Sequence, residues 1–346
     1  MGGLLGSGLG LALAGTGRTE FERWPDARWS LQTPSDSGWN ASALQQADEQ
    51  ARLLGSDAVL VVHRGAIVHA YGDIARPLNL YSVRKSILSM LIGMHLDQID
   101  LDATLASLDI DDKQPLNDGE KAATVRQLLM SRSGVYHPAA YEMASVAALR
   151  PARGSHAPGS YWYYNNWDFN VLGSIFAQRC GKTVFDALRD ALAQPLQFQD
   201  FDRAAHTRWV SERQSQHAAY TLQLSARDLA RLGLLMARGG HWGGSGSRLI
   251  GEDWIKLSTA PHTVVGAGWQ AYGYMWWVPQ RAWPFWQRAP GQVFHADGNY
   301  GQLMWVDRAR DLVIVHRTSG PSLLRTAIDA ERVSPLLQRL LAAMPT

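Results

Sequence analysis

The chain has one cysteine in 346 residues, Cys180, so no disulfide can form within it. No activating base is arranged near that thiol, which reads as a buried apolar group rather than a nucleophile. Charge is sparse as well. Thirty-three Lys and Arg face 31 Asp and Glu, a net charge of +2, scattered rather than blocked, which gives no electrostatic footprint for nucleic acid or an anionic membrane. Hydrophobic residues make up 46% and charged residues 18%, the balance of a well-cored globular protein rather than a disordered one. Beyond the N-terminus no segment approaches the roughly 18 uncharged residues that a membrane span requires. There is no Gly-x-Ser-x-Gly elbow, no His-Glu-x-x-His, no phosphate-binding glycine loop and no paired cysteines, so those chemistries lose their usual signatures. No metal and no cofactor is expected.

Lysine is the scarcity with the most to say. Only five of the 33 basic residues are Lys, at 85, 113, 121, 182 and 256, so where generic positive charge suffices this chain uses Arg. Lys85 lies in an apolar segment, Tyr81-Ser82-Val83-Arg84-Lys85-Ser86-Ile87-Leu88-Ser89-Met90-Leu91-Ile92-Gly93, one helical turn after Ser82. A lysine desolvated against apolar neighbours can lose its proton and act as a base, which arginine cannot. Residues three apart share a helix face, and Val83, Ile87, Met90, Leu91 and Met94 predict a buried stripe around the pair. Ser82 would sit in the first turn, where free N–H groups and the dipole favour an oxyanion. The tetrapeptide alone decides little, because Ser82 could be an N-cap and Lys85 a snorkelling surface residue.

Along the chain, residues 1–37 read as a leader and linker. Residues 2–17 are apolar and end in small residues around Ala12-Leu13-Ala14, like the second half of a secretory signal whose charged start is missing. The segment is either a truncated signal or a flexible Gly-rich leader. The reading leans to export, periplasmic or secreted, over the cytoplasm. A helix is predicted over Ala41 to Leu54, with Ser42 as a possible cap. Ala58 to His63 and Ala66 to Tyr71 predict a hairpin turning at Arg64-Gly65.

From about Asp97 to Arg238 the pattern is helical, clearest at Thr124 to Met130 and Asn166 to Gln178. Ser225 starts another helix, with Asp228 placed for a capping box and Gly239-Gly240 to end it. Strand patterning returns at Tyr272 to Val278, Gln302 to Val306 and Leu312 to His316. A last amphipathic helix spans about Thr326 to Met344. The economical fold is α+β: one antiparallel sheet from both chain ends, flanked by terminal helices, with an all-α insertion. The boundaries read as an α/β part at about 38–100 and 240–346, and an insertion at about 101–239. A cleft between the two would be the binding site.

Two further segments carry candidate chemistry. Pro158 to Gly173 delivers Tyr164 and Asn166 just before a helix, where the plain reading is a core aromatic and an N-cap. Phe294-His295-Ala296-Asp297-Gly298-Asn299-Tyr300-Gly301-Gln302 opens a strand with glycines that let a backbone or ligand approach closely.

In order, the three segments resemble the penicillin-recognising serine hydrolases, in which Ser-x-x-Lys, Tyr-x-Asn and a Lys-Thr-Gly-like strand line one cleft. The resemblance is closest to the class C β-lactamase-related branch, with its carboxylesterases, D-amino-acid-directed peptidases and 6-aminohexanoate-dimer hydrolase. It runs from about residue 40 onward and takes in Thr124 to Val135 and Leu224 to Arg231. It implies the β-lactamase and penicillin-binding-protein fold. It also implies Ser82 as nucleophile, Lys85 and Tyr164 as the proton-handling pair, and Asn166 as an orienter of substrate or lysine. The oxyanion would rest on the N–H of Ser82 and one after Gly298, by alignment Asn299.

The departure is Ala296-Asp297-Gly298 where the family has Lys-Thr-Gly, with His295 just before it. No lysine remains there for a substrate carboxylate, and Asp297 would repel one, which argues against efficient β-lactam hydrolysis. Asp297 could instead accept a cationic substrate group. A His295–Asp297 base dyad finds no serine placed to complete it.

Several of the 14 Trp, at 162, 167, 276, 277, 283 and 286, lie near these motifs and suggest an aromatic cleft for neutral acyl groups, or plain core packing. The expectation is a metal-independent serine hydrolase acting on small-molecule esters or linear amides. The alternatives are hydrolysis of 6-aminohexanoate oligomers or D-amino-acid peptides, and a catalytically silent binding module. The sequence leaves oligomeric state open.

Overall fold

The computed structural model describes residues 23–243, 247–280, 292–320, 328 and 330–345. The signal-like segment at 2–17, Trp283, Trp286 and the expected helix start at Thr326 lie outside the described residues. An eight-stranded antiparallel sheet is built from β1 (Ala58–His63), β2 (Ala66–Gly72), β3 (Thr263–Val265), β4 (Gln270–Tyr272), β5 (Trp277–Pro279), β6 (Val293–Gly298), β7 (Gln302–Asp307) and β8 (Leu312–Arg317). Its order is β2-β1-β8-β7-β6-β5-β4-β3, so β1 pairs with β8 and both chain ends share one sheet, as expected.

The β1–β2 hairpin turns at Arg64 (φ 50°) and Gly65 (φ 77°). Two successive left-handed residues match the strand twist. The expected strand at Tyr272 to Val278 is two strands instead. Met275 is left-handed (φ 62°), and a Cβ at Gly273 would fall 2.2 Å from Ser258 O, so the chain must turn between β4 and β5.

Strand alternation sends two sets of side chains to opposite faces. Val59 and Val61 of β1 and Leu312 and Ile314 of β8 pack against α1 (Ala41–Leu54) and the last helix, α5 (Ala330–Ala342). Leu60, Val62, Val313 and Val315 face the main core, where α4 (Ala226–Ala237) lies on β1, β7 and β8. Covered on both faces, β1, β7 and β8 are buried along their whole length.

Three local expectations are corrected. Asn40, not Ser42, caps α1, its side chain accepting from Ala43 N at 3.0 Å. Ser225 does cap α4, but the Asp228 carboxylate accepts from Gln199 N and Asp200 N rather than closing a box, tying the helix to a distant loop. The middle of the chain is mostly helical yet also carries strands. Leu78–Asn79, Ala219–Leu224 and Thr207–Val210 form a small sheet, and α4 packs on the main sheet. The end of the expected linker is also bound: Gln32 N donates to Ile67 O at 2.9 Å, and Trp29 enters the core.

The small sheet fixes where the next helix begins. Buried Arg317 of β8 donates to Leu78 O and Leu224 O at 2.7 and 2.8 Å, and Leu80 N donates to Leu222 O. The chain then enters α2 (Val83–Gly93), which runs between the sheet and the helical middle. Every residue from Val83 to Ile92 is buried, so the expected stripe is a helix enclosed on all sides. Among the described residues no helix is long and apolar enough to cross a membrane.

Candidate active site

Ser82 stands at the N-terminus of α2 and makes no side-chain capping bond. Its hydroxyl is therefore available to other partners. Tyr81, just before it, holds a left-handed backbone (φ 47°), braced by Asn79 Oδ1 on its N–H at 3.1 Å and by Arg84 Nη1 on its carbonyl at 3.1 Å. Such a conformation costs on the order of 1–3 kcal/mol and persists only where neighbours enforce it.

Lys85 is 2% exposed, which removes the snorkelling alternative. Its Nζ lies within hydrogen-bonding distance of Ser82 Oγ at 3.1 Å, Tyr164 Oη at 2.8 Å and Asn166 Oδ1 at 2.8 Å. Tyr164 and Asn166 reach it because α3 (Asn166–Cys180) begins there. The cap of α3 is Asn165, whose side chain accepts from Trp167 N, leaving the Asn166 amide for Lys85.

Burial holds Lys85 well below the ordinary lysine range, with the Arg84 charge adding to the effect and Glu142 opposing it. The rings of Tyr164 and Phe169, 4.2 and 4.3 Å from Nζ, favour the cation more weakly. Tyr164 is pushed the other way, up to about 12, by burial. The Ser82 hydrogen bond and the Arg84 charge oppose that rise, and Asp297 adds to it. Both directions favour a neutral amine beside a neutral phenol, an arrangement chemically able to take up a proton and pass it on.

The end of β6 closes the other side. A Cβ on Gly298 would lie 2.5 Å from Leu80 O and 3.1 Å from Ser82 N, so only glycine lets this strand approach the serine so closely. Asn299 joins Tyr81, Ser82, Arg84, Tyr141, Met143, Val146, Tyr164 and Asn166 around a narrow pocket of about 30 Å³. Asp297 is half-buried, near enough for its charge to act on Tyr164. His295 is not part of the group. It is 5% exposed, stacked on Trp305 at 5.4 Å on the side of the sheet facing the terminal helices, and burial lowers it to about 3. The expected substrate-binding role of His295 is therefore not supported, because its buried ring packs on Trp305 toward the terminal helices.

A β-lactamase family model matches residues 41–334. The chain belongs to the β-lactamase family. Among solved structures, this family member is similar to a protein from Bacillus anthracis provisionally assigned as a 6-aminohexanoate-dimer hydrolase (TM-score 0.67, 20% identity, 94% of this chain and 91% of that one). It is also similar to a penicillin-binding protein homologue from Caulobacter crescentus (TM-score 0.64, 19% identity, covering 88% and 97%). A third similar structure is a family VIII carboxylesterase (TM-score 0.62, 17% identity, covering 88% and 97%). At these identities the likeness carries the fold alone. A comparison with curated proteins gives no match.

Parts of this family member's site have no signature in the sequence. Trp277 stacks on Tyr164 at 5.8 Å and, with Trp162 and Tyr272, encloses the phenol in aromatic rings. Trp167 and Trp276 are instead core residues, fully buried. Tyr141, Met143 and Val146 come from a segment with no motif at all. Arg84 does carry a signal, a second charge in an apolar helix, which the motif reading leaves unused.

Proposed function

We propose that this β-lactamase-family protein is a serine hydrolase that cleaves small esters, and more slowly linear amides, through an acyl-Ser82 intermediate. The observation that carries the reading is the single buried amine of Lys85 bonded to Ser82, Tyr164 and Asn166 at 2.8–3.1 Å. Ser82 Oγ attacks the carbonyl carbon while its proton passes to Lys85 Nζ, directly or through the Tyr164 hydroxyl. Asn166 accepts one N–H of Lys85 and so fixes where the remaining valences of the amine point. The carbonyl oxygen, now negative, is received by the N–H groups of Ser82 and Asn299. When the intermediate collapses, the alkoxide or amine leaves with the proton held by the pair. Water then repeats the attack on the acyl-serine, and the acid departs.

Fluorophosphonate labelling and turnover of a p-nitrophenyl acyl ester test this. The wild type should do both and Ser82→Ala neither. Labelling that persists in the alanine variant overturns the assignment, and a wild type that does neither supports a silent binding module.

A second reading, amide hydrolysis of 6-aminohexanoate oligomers or D-amino-acid peptides, is favoured by the negative charge of Asp297 near Tyr164, suited to a substrate amine. Short-chain esters, nitrocefin, a D-alanyl amide and the linear 6-aminohexanoate dimer at one enzyme concentration separate the readings. Esters are expected to lead. Nitrocefin is expected to be slow, because Ala296 stands where a lysine would hold its carboxylate.

A further inference from the structure

Arg84 is 2% exposed, and its guanidinium lies over the rings of Tyr220 and Tyr141, 5.0 and 5.5 Å from their centroids. Nη1 donates to Tyr81 O, while Nε and Nη2 are buried with no hydrogen-bond partner among the described residues. Among the described residues no carboxylate bonds to it. A buried cation left unneutralised is costly to folding. This one lines the same pocket as Ser82, next in the chain to Lys85.

We propose that Arg84 is a positioning residue for the Ser82 reaction, bracing the strained residue before the nucleophile and supplying the fixed positive charge beside which Lys85 works as a free amine. This role rests on the hydrolase reading and on a buried guanidinium that lines the Ser82 pocket and braces Tyr81. Like charges in a low dielectric disfavour each other, and arginine does not give up its proton. The lysine is the one that yields.

The other groups around the pair do not cancel this. Glu142, from the segment before the short helix Ala144–Ala147, is the acid that opposes the effect on Lys85, but it is already paired with Arg150. Tyr141 from the same segment, Tyr220 from Ala219–Leu224 and Tyr164 from the approach to α3 are phenols. Asp297 from β6 acts on Tyr164. The Arg84 charge lowers both Lys85 and Tyr164, the direction that frees a base.

The test compares the pH dependence of kcat/KM for a p-nitrophenyl acyl ester in the wild type, Arg84→Met and Arg84→Lys. The acid limb reports the base in the free enzyme. In Arg84→Met it should move up by about one pH unit, a roughly tenfold loss of rate on that limb. Arg84→Lys, which keeps a cation there, should stay closer to the wild type. A folded Arg84→Met whose limb does not move, with rates reduced equally at every pH, overturns the inference and leaves Arg84 a structural residue.

A second arm needs neither that variant nor activity. With five lysines in the chain, NMR of labelled lysine side chains should show one, assigned by its loss in Lys85→Arg, titrating well below the other four. A Lys85 that titrates with the others also overturns it. Absence of ester turnover in the wild type sinks the hydrolase reading instead, and the titration still decides the state of Lys85.

Discussion

Gly298→Ala separates a strand that merely ends near Ser82 from one that helps build its oxyanion site. The added Cβ would sit 2.5 Å from Leu80 O. An ordinary carbon–oxygen contact needs about 3.3 Å, so one of two backbones must retreat by roughly 0.8 Å. Neither is the loose end of a side chain. Leu80 is tied to Leu222, and β6 is paired with β7 along its whole length up to Gly298. The retreat therefore falls on the spacing between the Ser82 amide, 3.1 Å from the same Cβ, and the start of Asn299. A displacement near 1 Å, or loss of one oxyanion donor, costs on the order of 100-fold in rate. The expected outcome is a kcat about 100-fold lower for a p-nitrophenyl acyl ester, with slower fluorophosphonate labelling to match. Protein that stays cooperatively folded by thermal melting confirms that the loss is local. Turnover within about threefold of wild type in folded Gly298→Ala would refute the reasoning, because the oxyanion would then not depend on this approach.

The same geometry carries two further outcomes. Lys85→Arg keeps the charge but not the exchangeable proton, so kcat for the ester should fall by about 100-fold or more; near-normal rates would make Lys85 a counter-charge only. His295→Phe should keep activity within about threefold, since the ring lies away from Ser82 and one buried nitrogen has no partner among the described residues. The same variant should resist acid better. In the folded protein His295 sits near 3, against an ordinary value of 6.5, so the unfolded chain binds the proton first and stability falls as pH drops below about 6.5. Removing that effect should flatten the decline of the urea midpoint, worth on the order of 2 kcal/mol by about pH 4.5. An equally steep decline in His295→Phe counts against this assignment.

That Ser82, Lys85, Tyr164 and Asn166 converge was legible because each sits in a segment whose local spacing encodes its direction: three residues along a helix, or the approach to one. The hairpin at Arg64-Gly65 was legible for the same reason. His295 was misread because a strand motif gives the order of side chains but not which face the partner strands bury. Asn166 reads as a cap in the sequence, and only the structure shows that Asn165 caps α3 while Asn166 packs against Lys85. The break at Gly273 to Trp276 was hidden because its cause, the carbonyl of Ser258, is distant in the chain.

Local chemistry thus determined by itself that an apolar helix would carry a serine and a lysine on one face, and that strands from both chain ends would meet across a helical middle. Tertiary structure decided the rest. It enclosed α2 on every side, so that desolvation rather than sequence made Lys85 a poor holder of its proton. It also brought Tyr164, Gly298 and the buried Arg84 up to Ser82. Dielectric environment and close approach are properties of assembled surfaces, and no stretch of chain possesses them before it is packed.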